Sequence, residues 1–253
     1  MLQSRGDRVN LFRVCAAHWQ AACAFGYSAR TMHTIDPPVP RFGSGEPSAG
    51  IAAHLAAQPE VQRVPNPKVM LFLRRHFLDA ETCAALCARI DAVRRPSTLT
   101  DHDGDSRYRT SETGDLDAAD PLVAAVEAKL LALTGLDGAH GEPMQGQRYA
   151  VGQEFKPHTD YFTPTGIDFE RFCGVAGNRT WTAMIYLNAP EAGGATRFKA
   201  IDKIIQPETG KLILWNNRRA DGTLNPATIH HGMKVRAGTK YVITKWFRER
   251  RWG

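Results

Sequence analysis

Short apolar segments separated by glycine, proline and asparagine fill the chain from about residue 144 onward. Segments of this length and spacing are typical of strands in a β-sandwich or barrel. The predicted strands cover residues 144–151, 181–188, 195–199, 211–216, 228–231 and 240–247, and an earlier apolar run at 69–73 predicts one more buried strand. No repeat of fixed period connects these segments, so a solenoid or propeller is not predicted.

Two helices are predicted ahead of this region by their end signals. Asp79 is a typical N-cap for a helix that runs to about Arg95. Asp120 followed by Pro121 opens the second helix, and Gly135 ends it. Helices followed by a run of short strands predict an α+β fold, in which N-terminal helices buttress a β-sandwich or barrel.

The first 67 residues differ in composition from the rest of the chain. Residues 1–31 hold four arginines and one acid, and polar side chains interrupt their apolar stretch, which is not typical of a signal-peptide core. A basic, acid-poor segment also suits a transit peptide, but Met32 follows it and suggests a dispensable extension. Residues 36–48 hold four prolines and two glycines, the pattern of a linker. We therefore expect 1–67 to be an extension and linker arm, ordered only in part, and 68–253 to be the folded domain.

Net charge and cysteine content limit the partners and the cellular compartment that can be expected. The net charge of +6 is compatible with an anionic partner, nucleic acid included, or with no such partner. Five cysteines without dense spacing argue against a disulfide framework and favour a reducing, cytoplasmic location. No apolar run approaches the roughly 18 residues that a membrane span requires, so we expect no membrane partner.

Two pairs of the form His-x-acid can place two metal ligands on one face of a strand. Composition alone predicts about one such pair, so the motif by itself identifies nothing. The pair at residues 140–142 lies in a glycine-rich turn, whereas His158 and Asp160 follow a predicted strand. A third ligand can come from His230 or His231, near the end of a later strand. Two histidines and one carboxylate are the ligand set of non-haem Fe(II) oxygenases, although zinc can use the same residues.

The last predicted strand contains a lysine that alternation places beside apolar side chains. Lys240, Val242, Thr244 and Trp246 share one face of that strand. If the face is interior, the buried ammonium group needs a partner, and the carboxylate of a bound ligand can supply it. Alternatively, Lys240 extends along the strand end to reach water.

Between Arg109 and Trp246 the chain resembles the prolyl 4-hydroxylase branch of the 2-oxoglutarate and Fe(II)-dependent dioxygenases. The matching segments occur in the family's order: Arg109-Thr110-Ser111, Glu142-Pro143-Met144-Gln145, Arg148-Tyr149, Gly152-Gln153, His158-Thr159-Asp160, Arg179-Thr180-Trp181-Thr182, Tyr186-Leu187-Asn188, Gly193-Gly194-Ala195-Thr196-Arg197-Phe198, His230 through Lys240, and Thr244-Lys245-Trp246. The chain departs from the family pattern at His231, where alanine is usual, and at Lys234, where proline is usual. Several spaced motifs in the correct order make the resemblance specific.

The resemblance implies a double-stranded β-helix (jelly roll) and a set of site residues. The implied iron ligands are His158, Asp160 and His230, the last preferred over His231 because of its spacing to Lys240. The implied 2-oxoglutarate residues are Lys240, Tyr149 and Thr196, with Trp246 as a wall of the pocket and Arg179 facing the substrate. The implied cofactors and cosubstrates are Fe(II), 2-oxoglutarate and O2, with ascorbate as reductant.

The resemblance further implies hydroxylation of an unactivated C–H bond, in the first place prolyl 4-hydroxylation of a peptide or protein. The same iron chemistry on a free amino acid, another side chain or an alkylated nucleic acid is an alternative. A third alternative, from a different class, is a non-enzymatic jelly-roll binding module with a vestigial metal site. Formation of succinate from 2-oxoglutarate would separate the enzymes from the binding module.

Overall fold

Residues 48–97, 108–166 and 169–253 are described by a computed structural model of the protein. The predicted extension at 1–31, Met32 and all but the last residue of the predicted linker at 36–48 lie outside these residues. The α-helices are α1 (Ser48–Ala57), α2 (Ala80–Val93), α3 (Pro121–Thr134) and α4 (Phe169–Cys173), and 3-10 turns cover Gly138–His140, Lys199–Ile201 and Pro226–Thr228. The strands are β1 (Gln62–Arg63), β2 (Leu71–Arg74), β3 (Arg95–Pro96), β4 (Glu112–Asp115), β5 (Gln145–Tyr149), β6 (Phe155–His158), β7 (Arg179–Tyr186), β8 (Ala192–Gly193), β9 (Thr196–Phe198), β10 (Lys203–Ile205), β11 (Leu212–Asn216), β12 (His230–Gly232), β13 (Val235–Ala237) and β14 (Lys240–Arg248).

Two antiparallel sheets form the core of the fold. The larger sheet has the order β1-β2-β11-β7-β14-β5-β4-β3, the smaller one has the order β10-β9-β12-β6, and β13 pairs with β8. An apolar layer lies between the sheets, with Tyr186 and Trp215 from the larger sheet and Phe198 and Ile205 from the smaller. The non-sequential strand order and the two apposed sheets are those of a jelly roll. The predicted α+β class is therefore confirmed.

The helices cover the other face of the larger sheet. Alternation along β7 explains how one strand serves both layers: Trp181 and Ile185 pack in the cluster that contains the helices, whereas Met184 and Tyr186 pack between the sheets. Both predicted helix starts are present. The Asp79 carboxylate accepts a hydrogen bond from the Thr82 amide at 2.7 Å, so the first turn of α2 has a partner for its amide.

The second predicted helix, α3, also begins and ends as its sequence indicates. The Asp120 carboxylate accepts from the Leu122 amide at 2.8 Å, and Pro121 takes the first helical position. Gly135 ends the helix with φ of 69°, a left-handed conformation that glycine adopts without steric cost. Within the described part of the chain, no helix is both long and apolar enough to cross a membrane.

Helix α1 corrects the predicted division of the chain at residue 68. The helix lies inside the segment 1–67 that the sequence indicated as an extension and arm, and Ile51 and Leu55 are fully buried in the core cluster that includes α3. His54 Nε2 lies 3.2 Å from the Leu133 carbonyl oxygen. Residues 48–57 therefore belong to the folded core, whereas the sequence indicated that the folded domain begins at residue 68. Only two large apolar residues, one turn apart, mark this alanine-rich helix, and they follow a proline-rich stretch.

Strand boundaries differ from the predictions by a few residues, and several short strands were missed. The predicted strand at 228–231 begins at His230 in the structure, because residues 226–228 form a 3-10 turn. Strand β4, of sequence Glu-Thr-Gly-Asp, has no apolar alternation and pairs at the sheet edge with β3. Its polar sequence gave no strand signal.

Candidate active site

Two neighbouring strands of the smaller sheet bring three ligand-type side chains together. His158 at the end of β6 and His230 at the start of β12 are directly opposed in the antiparallel register. Asp160 follows two residues after His158, and its Oδ1 lies 3.8 Å from His158 Nε2 and 3.9 Å from His230 Nε2. Within the described residues, this is the group of three whose ligand atoms can share one ion.

Both imidazoles are oriented by the backbone. His158 Nδ1 lies 2.8 Å from the Lys156 carbonyl oxygen, and His230 Nδ1 lies 3.0 Å from that of Thr228. A carbonyl can only accept, so each Nδ1 carries the proton and each Nε2 presents a lone pair to the cluster. Carbonyl partners of this kind commonly fix the ring orientation of metal-binding histidines.

The Asp160 carboxylate is held by a second set of hydrogen bonds. Thr182 on β7 donates its hydroxyl to Asp160 Oδ2 at 2.7 Å and accepts from the Asn217 side-chain amide at 2.9 Å. Thr182 and Asn217 are fully buried. The chain of bonds leaves Oδ1 turned toward the two histidines, so the carboxylate is prepared to bind an ion through that oxygen.

His231 points away from the cluster. Its Nε2 lies 3.0 Å from Glu154 Oε2, and Lys234 Nζ lies 3.6 Å from the other oxygen of the same carboxylate. Successive residues of a strand face opposite sides, which explains why His230 enters the site and His231 does not. The geometry therefore favours His230 as the third ligand.

Lys240 lies in the inner pocket, the cavity that contains the His158–Asp160–His230 cluster. The lysine is 2% exposed, and its Nζ lies 5.0 Å from the Tyr149 ring centroid and 5.3 Å from that of Tyr186. No carboxylate within the described ranges forms an ion pair with it. Burial lowers the pKa of Lys240 to about 7, because a desolvated ammonium group is disfavoured.

The predicted alternation along β14 is confirmed. Lys240, Val242, Thr244 and Trp246 all line the inner pocket. The intervening side chains face the helices: Ile243 and Phe247 belong to the core cluster, and Lys245 Nζ lies 2.6 Å from Glu127 on α3. One strand thus separates the site from the helical layer.

Tyr149 and Thr196, the other two residues implied for 2-oxoglutarate, line the same pocket. Tyr149 is opposed to Lys240 in the register of β5 and β14, and burial raises the pKa of its hydroxyl. The Thr196 hydroxyl lies 2.6 Å from the Tyr186 hydroxyl. Two hydroxyl-bearing side chains and one ammonium group are thus close to one another, which suits recognition of a carboxylate.

Arg179 is more fully engaged inside the protein than the sequence indicated. Its Nε and Nη2 donate to the two oxygens of Glu142 at 2.6 and 2.8 Å, and Nη1 donates to the Asp160 carbonyl oxygen at 3.3 Å. The guanidinium group also lies 3.9 Å from the Trp246 ring centroid. An arginine has five N–H donors, and these contacts use three of them, so fewer donors remain for a substrate.

Glu142 connects two buried arginines. Arg248 Nε lies 2.6 Å from Glu142 Oε1, on the carboxylate that also binds Arg179. Burial acts to raise the pKa of Glu142, but Arg179 and Arg248 outweigh it and lower the pKa. The carboxylate is therefore ionised at neutral pH, and the two guanidinium groups share one negative charge.

A wider cavity, here called the outer cleft, opens from the inner pocket. It has a volume of about 620 Å³. Five residues line both cavities: Arg109, Phe155, His158, Asp160 and Trp246. Arg179 and Glu142 line the outer cleft but not the inner pocket. The cluster therefore lies where a deep, narrow pocket meets a broader groove.

Sequence reasoning assigned no role to four residues of this region: Arg109, Glu142, Thr182 and Asn217. Arg109 donates to the Ser111 and Thr113 hydroxyls at 3.1 and 3.2 Å, and burial lowers its pKa. Arg109, Glu142 and Thr182 lie in segments that carried the resemblance, which was the available signal. Asn217 gave none, because its role depends on a contact between distant strands.

The donor set fits a divalent iron ion, and the pocket fits a 2-oxo dicarboxylate. Two imidazole nitrogens and one carboxylate oxygen converge from one side, which leaves the other side for a chelating ligand. Lys240 is a buried amine without a carboxylate partner in the described part of the protein, and a ligand carboxylate would stabilise its ammonium form. Both observations concern the same cavity.

Comparison with known proteins agrees with this geometry. Residues 144–248 match the family model described as the 2OG-Fe(II) oxygenase superfamily. Prolyl 4-hydroxylase subunit alpha-1 of Rattus norvegicus is 34% identical over 163 residues, covering 62% of this chain and 30% of that protein. The probable prolyl 4-hydroxylase 3 of Arabidopsis thaliana is 30% identical over 199 residues, covering 69% of this chain and 68% of that protein.

A solved structure shares the fold. The 2OG complex of viral collagen prolyl hydroxylase vCPH from Paramecium Bursaria Chlorella virus-1 superposes with a TM-score of 0.55 and 24% identity, over 70% of this chain and 95% of that one. The chain spans only about 30% of the length of the animal relative named above.

Proposed function

The chain belongs to the prolyl 4-hydroxylase branch of the 2OG-Fe(II) oxygenase superfamily, and we propose that it hydroxylates proline residues in a peptide or protein. Fe(II) is the proposed cofactor, 2-oxoglutarate and O2 are the cosubstrates, and ascorbate is the reductant that restores oxidised iron. His158, Asp160 and His230 are the proposed iron ligands. Lys240, Tyr149 and Thr196 are proposed to bind 2-oxoglutarate, with Trp246 as a wall.

One observation carries the proposal: the three ligand-type residues line the same inner pocket as Lys240, which has no ion-pair partner among the residues that the structure describes. A metal site alone would also suit zinc, and a buried lysine alone would also suit a structural role. Together they match a ligand that chelates the metal at one end and carries a negative charge at the other. 2-Oxoglutarate has this chemistry.

The bound iron, 2-oxoglutarate and O2 would supply the oxidation, in which one oxygen atom enters the substrate C–H bond and the other enters succinate, with release of CO2. The side chains of this chain bind and orient the reactants. Thr182 fixes the rotation of the Asp160 carboxylate, and Lys240 would fix the distal end of the cosubstrate. The apolar walls at Met184, Val242 and Trp246 would exclude water from the reacting atoms.

The outer cleft supports a polypeptide rather than a free amino acid as substrate. The groove extends well beyond the cluster and is lined by aromatic side chains and by Arg179 and Arg109. An extended proline-containing segment leaves its carbonyl groups free, and guanidinium donors can bind them. Arg179 retains donor capacity on Nη1 and Nη2 beyond its contacts with Glu142 and Asp160, and we propose that it faces the substrate beside the iron.

The proposed location is the cytoplasm. Cys83 and Cys87 are free thiols. Burial raises the pKa of Cys83 to about 11 and that of Cys87 to about 12, so neither is a reactive thiolate at neutral pH. Free thiols are typical of proteins in reducing compartments, which supports this location.

The test is incubation of the protein with Fe(II), ascorbate, 2-oxoglutarate and a set of proline-containing peptides under air. We expect succinate formation together with a gain of one oxygen on a proline, located by fragmentation mass spectrometry. Free proline and methylated oligonucleotides are assayed in parallel. Oxygen gain on either of these but on no peptide would contradict the proposal, and absence of succinate with every substrate would remove the enzymatic interpretation altogether.

A further inference from the structure

Trp252 lines the outer cleft but not the inner pocket. The indole is 40% exposed, which is unusual for so large an aromatic side chain next to a proposed substrate site. Phe162 and Phe172 line the same cleft, and their rings stack with centroids 5.2 Å apart. The cleft therefore contains an aromatic region in addition to the residues at the cluster.

Trp252 lies in the C-terminal tail, residues 249–253, and backbone hydrogen bonds hold this tail in place. Its amide donates to the Ala139 carbonyl at 2.8 Å, and the Arg250 amide donates to the Ala176 carbonyl at 2.9 Å. These bonds fix the backbone of the tail on both sides of Arg251. An aromatic side chain on a fixed backbone loses little conformational entropy when a ligand packs against it.

The indole also rests on a buried guanidinium group. The Arg248 guanidinium carbon lies 5.0 Å from the Trp252 ring centroid and 5.0 Å from that of Phe162. Arg248 Nη1 donates to the Gly177 carbonyl at 2.7 Å, and its Nε lies beside Glu142. Arg248 is thus fixed from several sides, and it supports the ring that the cleft exposes.

We propose that Trp252 forms an accessory subsite, which stacks against the pyrrolidine ring of a proline that flanks the target residue in an extended polypeptide. The subsite rests on the proposed function, because the cleft that contains Trp252 is continuous with the cluster through Phe155, His158, Asp160 and Trp246. Proline-rich segments adopt polyproline II without help from the protein and bind in grooves lined by aromatic rings. A short peptide that contacts the cluster but not Trp252 would gain no affinity from this subsite.

The test compares Trp252→Ala with the wild type on two blocked peptides that carry no charge. One is an oligoproline long enough to cross the cleft, and the other is Gly-Pro-Gly. We expect the variant to raise the KM for oligoproline about fivefold with little change in kcat, and to leave Gly-Pro-Gly turnover unchanged. Trp252→Phe should recover most of the loss. Arg251→Ala, an exposed residue of the same tail that does not line the cleft, is the matched control.

A binding measurement separates the subsite from the activity. Fluorescein-labelled oligoproline is titrated with the full chain and followed by anisotropy, with a glycine-serine peptide of equal length as reference. About fivefold weaker binding of oligoproline by Trp252→Ala, with Arg251→Ala unchanged, supports the subsite even if no proline is hydroxylated, in which case the proposed function alone fails. Equal binding by wild type and Trp252→Ala, or absence of binding by the wild type, overturns the subsite.

Discussion

His231 Nε2 lies 3.0 Å from the Glu154 carboxylate, on the face of β12 opposite to His230. Lys234 approaches the same carboxylate, so both residues at which the chain departs from the family pattern meet one acid. Glu154 directly precedes β6, the strand that carries His158. The contact therefore joins the two strands that carry the histidines of the cluster, from outside the site.

The proposed metal ligands should be separable from His231 by mutation. His158→Ala, Asp160→Ala and His230→Ala should each abolish turnover and greatly weaken Fe(II) binding, measured by anaerobic titration. His231→Ala should keep a measurable rate and lose about 1 kcal/mol of stability, because its partner is partly exposed to water. Full activity in His230→Ala, with activity lost only in His231→Ala, would mean that the wrong neighbour had been assigned.

Removal of the Lys240 ammonium group should act on 2-oxoglutarate. Lys240→Ala should raise the 2-oxoglutarate concentration needed for half-maximal rate by roughly ten- to a hundredfold, because a charge-assisted contact in a desolvated pocket is lost. Lys240→Arg should not restore it fully, since the guanidinium group is larger and planar. The measurement is succinate formation against 2-oxoglutarate concentration. An unchanged requirement in Lys240→Ala would remove the lysine from this role.

Cosubstrate binding should take up a proton. Burial lowers the pKa of Lys240 to about 7 from an ordinary value of 10.5, so above pH 7 the folded protein holds a neutral amine. A bound carboxylate favours the ammonium form, so binding at pH 8 should consume a proton. Between pH 7 and 10.5 the unfolded chain binds more protons at Lys240 than the folded chain does. The free energy of unfolding should therefore rise with pH in this range, as the destabilisation caused by burying the lysine becomes smaller. Anaerobic calorimetry in buffers of different ionisation enthalpy checks the uptake, and Lys240→Met should abolish it.

Arg179 should couple the substrate to the reaction without being needed for uncoupled turnover. Arg179→Ala should greatly reduce peptide hydroxylation, while slow decarboxylation of 2-oxoglutarate without peptide persists. The variant leaves buried Glu142 with Arg248 alone, so a stability loss of up to about 3 kcal/mol should accompany it. Arg75→Ala, which removes an exposed ion pair with Glu208, is the control. Equal loss of both reactions would indicate a structural arginine.

Helix α1 should contribute to the folded core. Leu55→Ala should lower the free energy of unfolding by about 2–5 kcal/mol, because a fully buried side chain leaves a cavity. Ala56→Ser, at an exposed position of the same helix, should have little effect. A chain that begins at Met32 retains α1 and should fold and turn over like the full chain. Denaturant unfolding monitored by circular dichroism measures the stability of all three proteins, and succinate formation measures the turnover of the shortened chain. An unchanged free energy of unfolding in Leu55→Ala would contradict the packing of α1.

The sequence was most informative where a local rule determines the structure. N-cap aspartates and a terminal glycine predicted α2 and α3, and alternation predicted which face of β14 lines the pocket. The proposed ligand set also depended on a local pattern, since His158 and Asp160 are two residues apart. His230 was selected over His231 by its spacing to Lys240, and the alternation of β12 agrees with that choice.

Features that depend on contacts between distant segments were not predictable in this way. The pairing of Arg179 with Glu142 joins residues 37 positions apart and changes how many donors the arginine can offer. Thr182 and Asn217 become supports of Asp160 only when β7 lies beside the end of β11. Helix α1 is held by tertiary packing, since ten residues rich in alanine make a marginal helix alone.

Strand β14 has a consequence for any attempt to vary this protein. Its even-numbered side chains from Lys240 to Trp246 line the pocket, and Ile243 and Phe247 between and after them pack on the helices. Saturation mutagenesis of the strand, scored separately for cellular abundance and for catalysis, should give two interleaved profiles with a period of two residues. Deleting one residue from the turn at Gly238 would exchange the profiles, because a shift of one residue moves every side chain of the strand to the opposite face.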